Sequence, residues 1–294
     1  MHAFLFPGQG SQKVGMGAAL FDTVREFRAV EHTIDDILGY SLRELCLANP
    51  EKNINKTQFT QPALYIVNAL YYFTKLAEGV SPSIVLGHSL GEYNALHAAG
   101  VFDLITGLRL VKKRGELMSK AVGGGMAAVI DLDPKDISRA LEEQGLTSID
   151  NANYNSPKQT VISGPREDII RAAPILEKAG AVNYVPLPVS AAFHSRYMKE
   201  FALAYADFLL GFNFRSPVLP VIANVTGLPY PSLGATHSDI CKLLVEQISS
   251  PVQWARSISH VVDRGVTSFL EIGPGDVLSR LNKEIMASML TRTI

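Results

Sequence analysis

Cysteine is nearly absent from this chain: Cys46 and Cys241 are the only two in 294 residues, and they belong to no CxxC or Cys/His cluster. A disulfide framework is thereby excluded, and a structural zinc site or any other bound metal is not expected. Excess charge of either sign is lacking as well. Lysine and arginine number 27 against 28 aspartates and glutamates, a formal net charge of −1 with a pI near 6.7. Nothing in that balance grips a phosphate backbone, so nucleic acid is not an expected partner. No run of roughly 18 apolar residues occurs, so no membrane span is expected. The opening Met1-His2-Ala3-Phe4-Leu5-Phe6 has neither the basic flank nor the apolar length of a signal peptide, and a reducing, cytoplasmic setting is the expectation. Core-forming material is plentiful. Hydrophobic residues make up 47% and charged residues 19%, which excludes disorder. The length suits one large domain or two modest ones, able to bury roughly three quarters of the unfolded surface without staples.

Strand and helix signals alternate along the first 120 residues. Ala3–Phe6 and Ser83–Leu86 are short apolar runs that read as buried strands. Helices are predicted from Asp22 to Leu38 before Gly39, over Gln61–Leu76, over Leu90–Ala99 before Gly100, and from Asp103 to about Val122. This alternation predicts an α/β layer fold around a mostly parallel sheet. After Gly123-Gly124-Gly125 the pattern changes. Strand Met126–Leu132, helix Pro134–Gln144, strand Ile149–Tyr154, turn Asn155-Ser156-Pro157, strand Gln159–Ser163, helix Pro165–Ala179 and strand Val182–Val189 give β-α-β-β-α-β, the ferredoxin-like unit. Residues 124–190 are therefore expected to form a small inserted subdomain, and 1–123 with 191–294 the larger one.

Gly87-His88-Ser89-Leu90-Gly91 matches G-x-S-x-G, with an apolar strand before it and a helix after it, the context of a nucleophile elbow. The serine of such an elbow sits at a helix N-terminus, where free N–H groups favour a developing oxyanion, and the Leu90 N–H would be one donor. The bland alternative is a connection carrying a chance serine. A serine needs a base. Of seven histidines, His97 lies eight residues beyond Ser89 on the following helix, and His88 diverges on the turn. His194 lies in the apolar stretch Ser190-Ala191-Ala192-Phe193-His194-Ser195, where a lone histidine is more often structural than catalytic. No Asp or Glu partner is identified for it. On the helix beginning at Asp103, about 100° per residue puts Arg114 within the stripe of Leu104, Leu108, Val111 and Met118. A cation there requires a partner. Either it pairs with a protein carboxylate or snorkels, or it anchors a substrate carboxylate through its planar fork. Pro7-Gly8-Gln9-Gly10-Ser11-Gln12 follows the first strand, where ligands bind in such sheets. It fits neither a Walker A nor G-x-G-x-x-G, and is either a source of a second oxyanion donor or a tight connection.

Taken together, F-P-G-Q-G-S-Q at 6–12, T-Q-P-A-L at 60–64, G-H-S-L-G-E-Y at 87–93, R-G-E-L-M at 114–118, S-A-A-F-H-S at 190–195, S-P-V-Q-W at 250–254 and E-I-G-P-G at 271–275 resemble the malonyl-CoA:acyl-carrier-protein transacylase family. The resemblance runs to about residue 285 and is nearest to stand-alone acyltransferases that serve polyketide synthases in trans. It implies an α/β-hydrolase-like large subdomain with a ferredoxin-like insert. It also implies roles: Ser89 as acylated nucleophile, His194 as general base, and the backbone N–H groups of Gln9 and Leu90 as oxyanion donors. Arg114 would hold the malonyl carboxylate, and Gln247 would orient His194 through its carbonyl. Gln61 and Met118 would line the pocket, and Phe193 would exclude branched acyl groups. The arrangement would be a Ser–His dyad without a triad carboxylate. Asn94 and Ser250 depart from the fatty-acid members, where serine and asparagine are usual, and neither position carries chemistry in this scheme.

The activity the resemblance implies is transfer of malonyl from malonyl-CoA to the phosphopantetheine thiol of an acyl carrier protein, by a monomer without cofactor. Two rivals stand beside it: an acyl hydrolase using the same dyad, whose relatives tend to lack the arginine, and a docking module that holds carrier domains without chemistry.

Overall fold

The computed structural model describes residues 1–231 and 235–291. In chain order the elements begin with β1 (His2–Phe6), α1 (Arg25–Arg28), α2 (Glu31–Leu38), α3 (Leu42–Leu47), α4 (Thr57–Ala77), β2 (Ile84–Gly87), α5 (Gly91–Ala98) and α6 (Leu104–Ser119). Next come β3 (Gly124–Ile130), α7 (Pro134–Glu143), β4 (Asp150–Ser156), β5 (Gln159–Pro165), α8 (Arg166–Lys178) and β6 (Asn183–Pro186). The chain closes with α9 (Lys199–Leu209), β7 (Val221–Ile222), α10 (His237–Ser249), α11 (Trp254–Val262), β8 (Ser268–Glu271) and α12 (Val277–Thr291).

Two sheets result. One is parallel throughout, in the order β7-β2-β1-β8. Its central strands are continuous apolar runs, as strands covered on both faces must be. Phe4, Phe6 and Val85 face one core with α4, α5 and α6. Ala3, Leu5, Ile84 and Leu86 face the other, with α11 and α12. The other sheet is antiparallel throughout, in the order β4-β5-β3-β6, with α7 and α8 over a core of its own. Counted from β3, that order reads 4-1-3-2 in reverse, the ferredoxin-like arrangement.

Local chemistry accounts for the boundaries. Asp103 caps α6 by accepting from the Thr106 N–H at 2.7 Å. The helix predicted over 22–38 is broken at Val30, whose φ of −129° and ψ of 7° lie outside the helical region. Strand β6 stops at Pro186, short of the predicted Val189, because Pro186 and Pro188 carry no N–H for a ladder. Strand β4 runs through Ser156, leaving only Pro157 and Lys158 for the turn. Asn153 bridges to Val252, and Ser156 Oγ donates to Glu284 Oε2 at 2.5 Å, so the antiparallel sheet is fastened to the segment before α11 and to α12 of the larger unit.

Candidate active site

Everything converges at the carboxyl end of β2. Ser89 holds φ +50°, a left-handed conformation a non-glycine residue adopts only when its surroundings impose it. The glycines on either side make that turn possible. A Cβ on Gly87 would lie 1.8 Å from the Gly91 carbonyl carbon, and one on Gly91 would lie 1.9 Å from the Phe6 oxygen. Asn224, just after β7, clamps the turn: its Oδ1 accepts from the Ser89 N–H at 2.6 Å and its Nδ2 donates to the Gly87 carbonyl at 2.6 Å.

Ser89 Oγ lies 2.8 Å from His194 Nε2, and His194 Nδ1 lies 2.8 Å from the Gln247 carbonyl oxygen. A carbonyl can only accept, so Nδ1 carries the proton and Nε2 presents a lone pair to the serine hydroxyl. Burial first, and then the neighbouring Arg114 charge, push the imidazole down to about 3, so it is neutral, with the Nε2 lone pair free. His194 also sits at positive φ, +56°, on the loop that re-enters the large unit after β6. Of the other candidates, His97 faces the Phe102 carbonyl, away from the serine, and His88 engages Asn155 Oδ1 at 2.8 Å with its ring against Trp254.

Arg114 is 1% exposed, on the inner face of α6. Its Nη1 donates to Gln61 Oε1 at 2.7 Å, and its Nη2 to Gln247 Oε1 at 2.8 Å and to Ser89 Oγ at 3.1 Å. Its Nε has no partner, and among the described residues no carboxylate is within ion-pair distance of the guanidinium. Neutral amides cradle the cation and leave its charge uncompensated by direct contact. Gln61 Nε2 donates in turn to Met118 Sδ at 3.4 Å.

The loop after β1 lies against the elbow, so close that a Cβ on Gly8 would be 2.4 Å from the His88 oxygen. The backbone N–H groups of Gln9 and Leu90 donate to no acceptor among the described residues. They border the same inner pocket of about 110 Å³, together with Gln61, Ser89, Arg114, Met118, Phe193 and His194. The antiparallel unit supplies Met126, Asn153, Leu187 and Val189 to its wall. A larger cavity of about 620 Å³ continues outward past Met118, Met126 and Phe193 to Lys56 on one bank and Arg166 on the other. The structure thus gathers every residue to which the resemblance gives a role: Ser89, His194, Gln247, Gln9, Leu90, Arg114, Gln61, Met118 and Phe193. Sequence reasoning missed Asn224, which carries no local signal. It also missed the side chain of Gln247 and Glu92, although Glu92 stood in the G-E-Y segment as a carboxylate on a helix otherwise almost wholly buried. Among the described residues no group of three or more His, Cys, Asp or Glu is placed to hold a metal ion, and no helix is long and apolar enough to cross a membrane.

A serine hydroxyl on a strand–turn–helix elbow, an oriented neutral imidazole and two free N–H groups beside it define a protein built to handle acyl groups. The chain belongs to the acyl transferase domain family, which matches residues 3–290. It is 52% identical over 283 residues to the polyketide biosynthesis malonyl CoA-acyl carrier protein transacylase BaeC of Bacillus velezensis, covering 96% of this chain and 95% of that one. The crystal structure of a malonyl CoA-acyl carrier protein transacylase from Burkholderia pseudomallei is similar with a TM-score of 0.91 at 44% identity, over 98% of both chains. A malonyl-transacylase solved in complex with its type II polyketide acyl-carrier protein is similar with a TM-score of 0.90 at 39% identity, over 97% of this chain and 93% of that one.

Proposed function

We propose that this chain moves a malonyl group from malonyl-CoA to the phosphopantetheine thiol of an acyl carrier protein, through malonyl-Ser89, in polyketide or fatty-acid synthesis. The observation that carries this reading is Arg114, a buried cation without a carboxylate of its own, 3.1 Å from a serine that is itself 2.8 Å from a neutral imidazole.

Ser89 Oγ attacks the thioester carbonyl carbon while its proton passes to His194 Nε2. The oxygen that becomes anionic faces the N–H groups of Gln9 and Leu90, a kind of donor worth about 2.7–4 kcal/mol each to a transition state. The carbon–sulfur bond breaks, and the CoA sulfur leaves with the proton from His194. The carrier's thiol then enters by the same outer cavity and surrenders its proton to His194. It attacks the serine ester, and Ser89 recovers the proton as the ester bond breaks. Arg114 holds the far carboxylate through both halves and so turns binding into position. Phe193, where the inner pocket meets the outer cavity, leaves little room for a substituent on the malonyl carbon. These steps call on no metal or redox cofactor. The reading places the protein in the cytoplasm, a reducing compartment that suits its two free thiols.

The test is intact-protein mass after incubation with malonyl-CoA. One malonyl group is expected on the wild type, none on Ser89→Ala, and discharge on adding carrier with the malonyl group recovered on the carrier. Release mainly as free malonate would favour a hydrolase, and an unlabelled wild type a passive docking module.

A further inference from the structure

Glu92 takes no part in the transfer chemistry above, yet it is a fully buried carboxylate on the helix that carries the elbow. Three donors meet it: Tyr230 Oη–H at 2.5 Å, Gln247 Nε2–H at 2.6 Å and the Asn224 backbone N–H at 3.2 Å. Among the described residues no cation touches it directly. The Gln247 amide spans the gap instead, with Nε2 on Glu92 Oε2 at 2.6 Å and Oε1 on Arg114 Nη2 at 2.8 Å. A buried cation and a buried carboxyl group, each without a direct ionic partner among the described residues, are therefore joined by one amide. Among the described residues the remaining titratable groups around them bring no charge: Tyr93 on the same helix, Tyr205 on α9 and Tyr230 after β7 are all driven toward the neutral phenol by burial, and His88 and His194 toward the neutral imidazole.

We propose that Glu92 is the counter-ion of Arg114 and a specificity-determining residue. Through the Gln247 amide it competes with the substrate carboxylate and sets how tightly a carboxylated acyl group is held. A malonyl carboxylate seated on Arg114 puts two anions beside one cation where water screens neither. An ionised Glu92 weakens that seat, and a neutral one strengthens it. An acetyl group brings no charge and is indifferent. Burial lifts the Glu92 carboxyl to about 7, against three hydrogen bonds and the Arg114 charge that pull it down, so the competition changes within an accessible pH range. For an enzyme that must pass its acyl group on, a restrained grip is the useful one.

The inference rests on Arg114 receiving the malonyl carboxylate, and the experiment separates the two. Acylation of the wild type is followed at pH 6 to 8.5 with malonyl-CoA and with acetyl-CoA, the latter removing the titration of CoA phosphates and of the dyad from the comparison. The malonyl-to-acetyl ratio of kcat/KM is expected to fall as pH rises, by roughly 3- to 10-fold. Glu92→Gln, permanently neutral, is expected to hold that ratio flat and, at pH 8, above the wild-type value by at least about 3-fold. Damage to packing lowers both substrates and cannot raise the preference for malonyl. A wild-type ratio that does not change with pH overturns the proposal, and so does a Glu92→Gln ratio at or below wild type. The wild-type profile decides the matter alone if the variant does not fold. If Arg114→Ala leaves the malonyl preference intact, the anchor assignment itself has failed; if it abolishes the preference while the wild-type ratio stays flat, only the role of Glu92 has.

Discussion

Ser89 and His194 are both held at positive φ, and each is pinned by a group from a distant segment, Asn224 for the serine and the Gln247 carbonyl for the histidine. The strain is tolerated because it aims a hydroxyl and a lone pair at each other before substrate arrives. Two consequences belong at this scale. The burial that keeps His194 neutral keeps it so well below the ordinary imidazole value. Its ring nitrogens, followed by NMR, should report the Nδ1–H tautomer from pH 8 down to 5. A protonation midpoint near 6.5, the ordinary imidazole value, would contradict the geometry. On the proposed reading, Arg114→Ala removes a charge-assisted grip on the acyl carboxylate. It should lower kcat/KM for malonyl-CoA by about 100-fold and leave acetyl-CoA within a few-fold, as read by single-turnover acylation.

The strand β2, its turn and helix α5 act as one element, and close backbone approach decides their shape. Helix α5 starts where its first residue, Gly91, lies against the end of β1, so the elbow and the Gln9 loop share one wall. Gly91→Ala would drive a methyl to 1.9 Å from the Phe6 oxygen and 2.7 Å from its carbonyl carbon, neither of which can turn aside as a side chain would. A loss of at least about 3 kcal/mol in folding stability is expected, measured by urea unfolding. An alanine variant as stable as the wild type would show that the elbow is looser than drawn.

Among the described residues, desolvation holds His194, which is buried, and His88 and His97, which are half-buried, below the ordinary imidazole value, and His260 nearer the surface is lowered as well. Groups of this kind cost stability as pH falls, because the unfolded chain takes up protons near pH 6.5 that the native state refuses. Glu92 works the other way. Its raised carboxyl keeps a proton up to about pH 7 that the unfolded chain has already released, so acidification through that window returns stability. The net expectation between about pH 6.5 and 4.5 is a loss of stability equivalent to about two protons. A urea series over that range checks it, with His97→Gln, remote from the pocket, reducing the slope by about one proton. Stability that is constant or rising toward pH 4.5 would show that these rings titrate freely.

The elbow, the arginine on an apolar stripe and the β-α-β-β-α-β order were all legible in the amino-acid sequence, because each is a local pattern imposed by backbone sterics and side-chain periodicity. A glycine two positions either side of Ser89, or an arginine recurring in phase with Val111 and Met118, says where a residue must face whatever it later meets. Which histidine meets the serine was not legible on those grounds. The partners lie 105 residues apart, and the resemblance of the Phe193-His194 segment to a known family, rather than any spacing, pointed to it. Nor did any pattern mark Asn224, or show that the Gln247 side chain, 133 residues from Arg114 and 155 from Glu92, would join cation to carboxylate. Those contacts follow from how β7 and α10 pack against the elbow. Tertiary structure alone decided them, because the cost of burying a charge depends on everything that surrounds it and on no one stretch of chain.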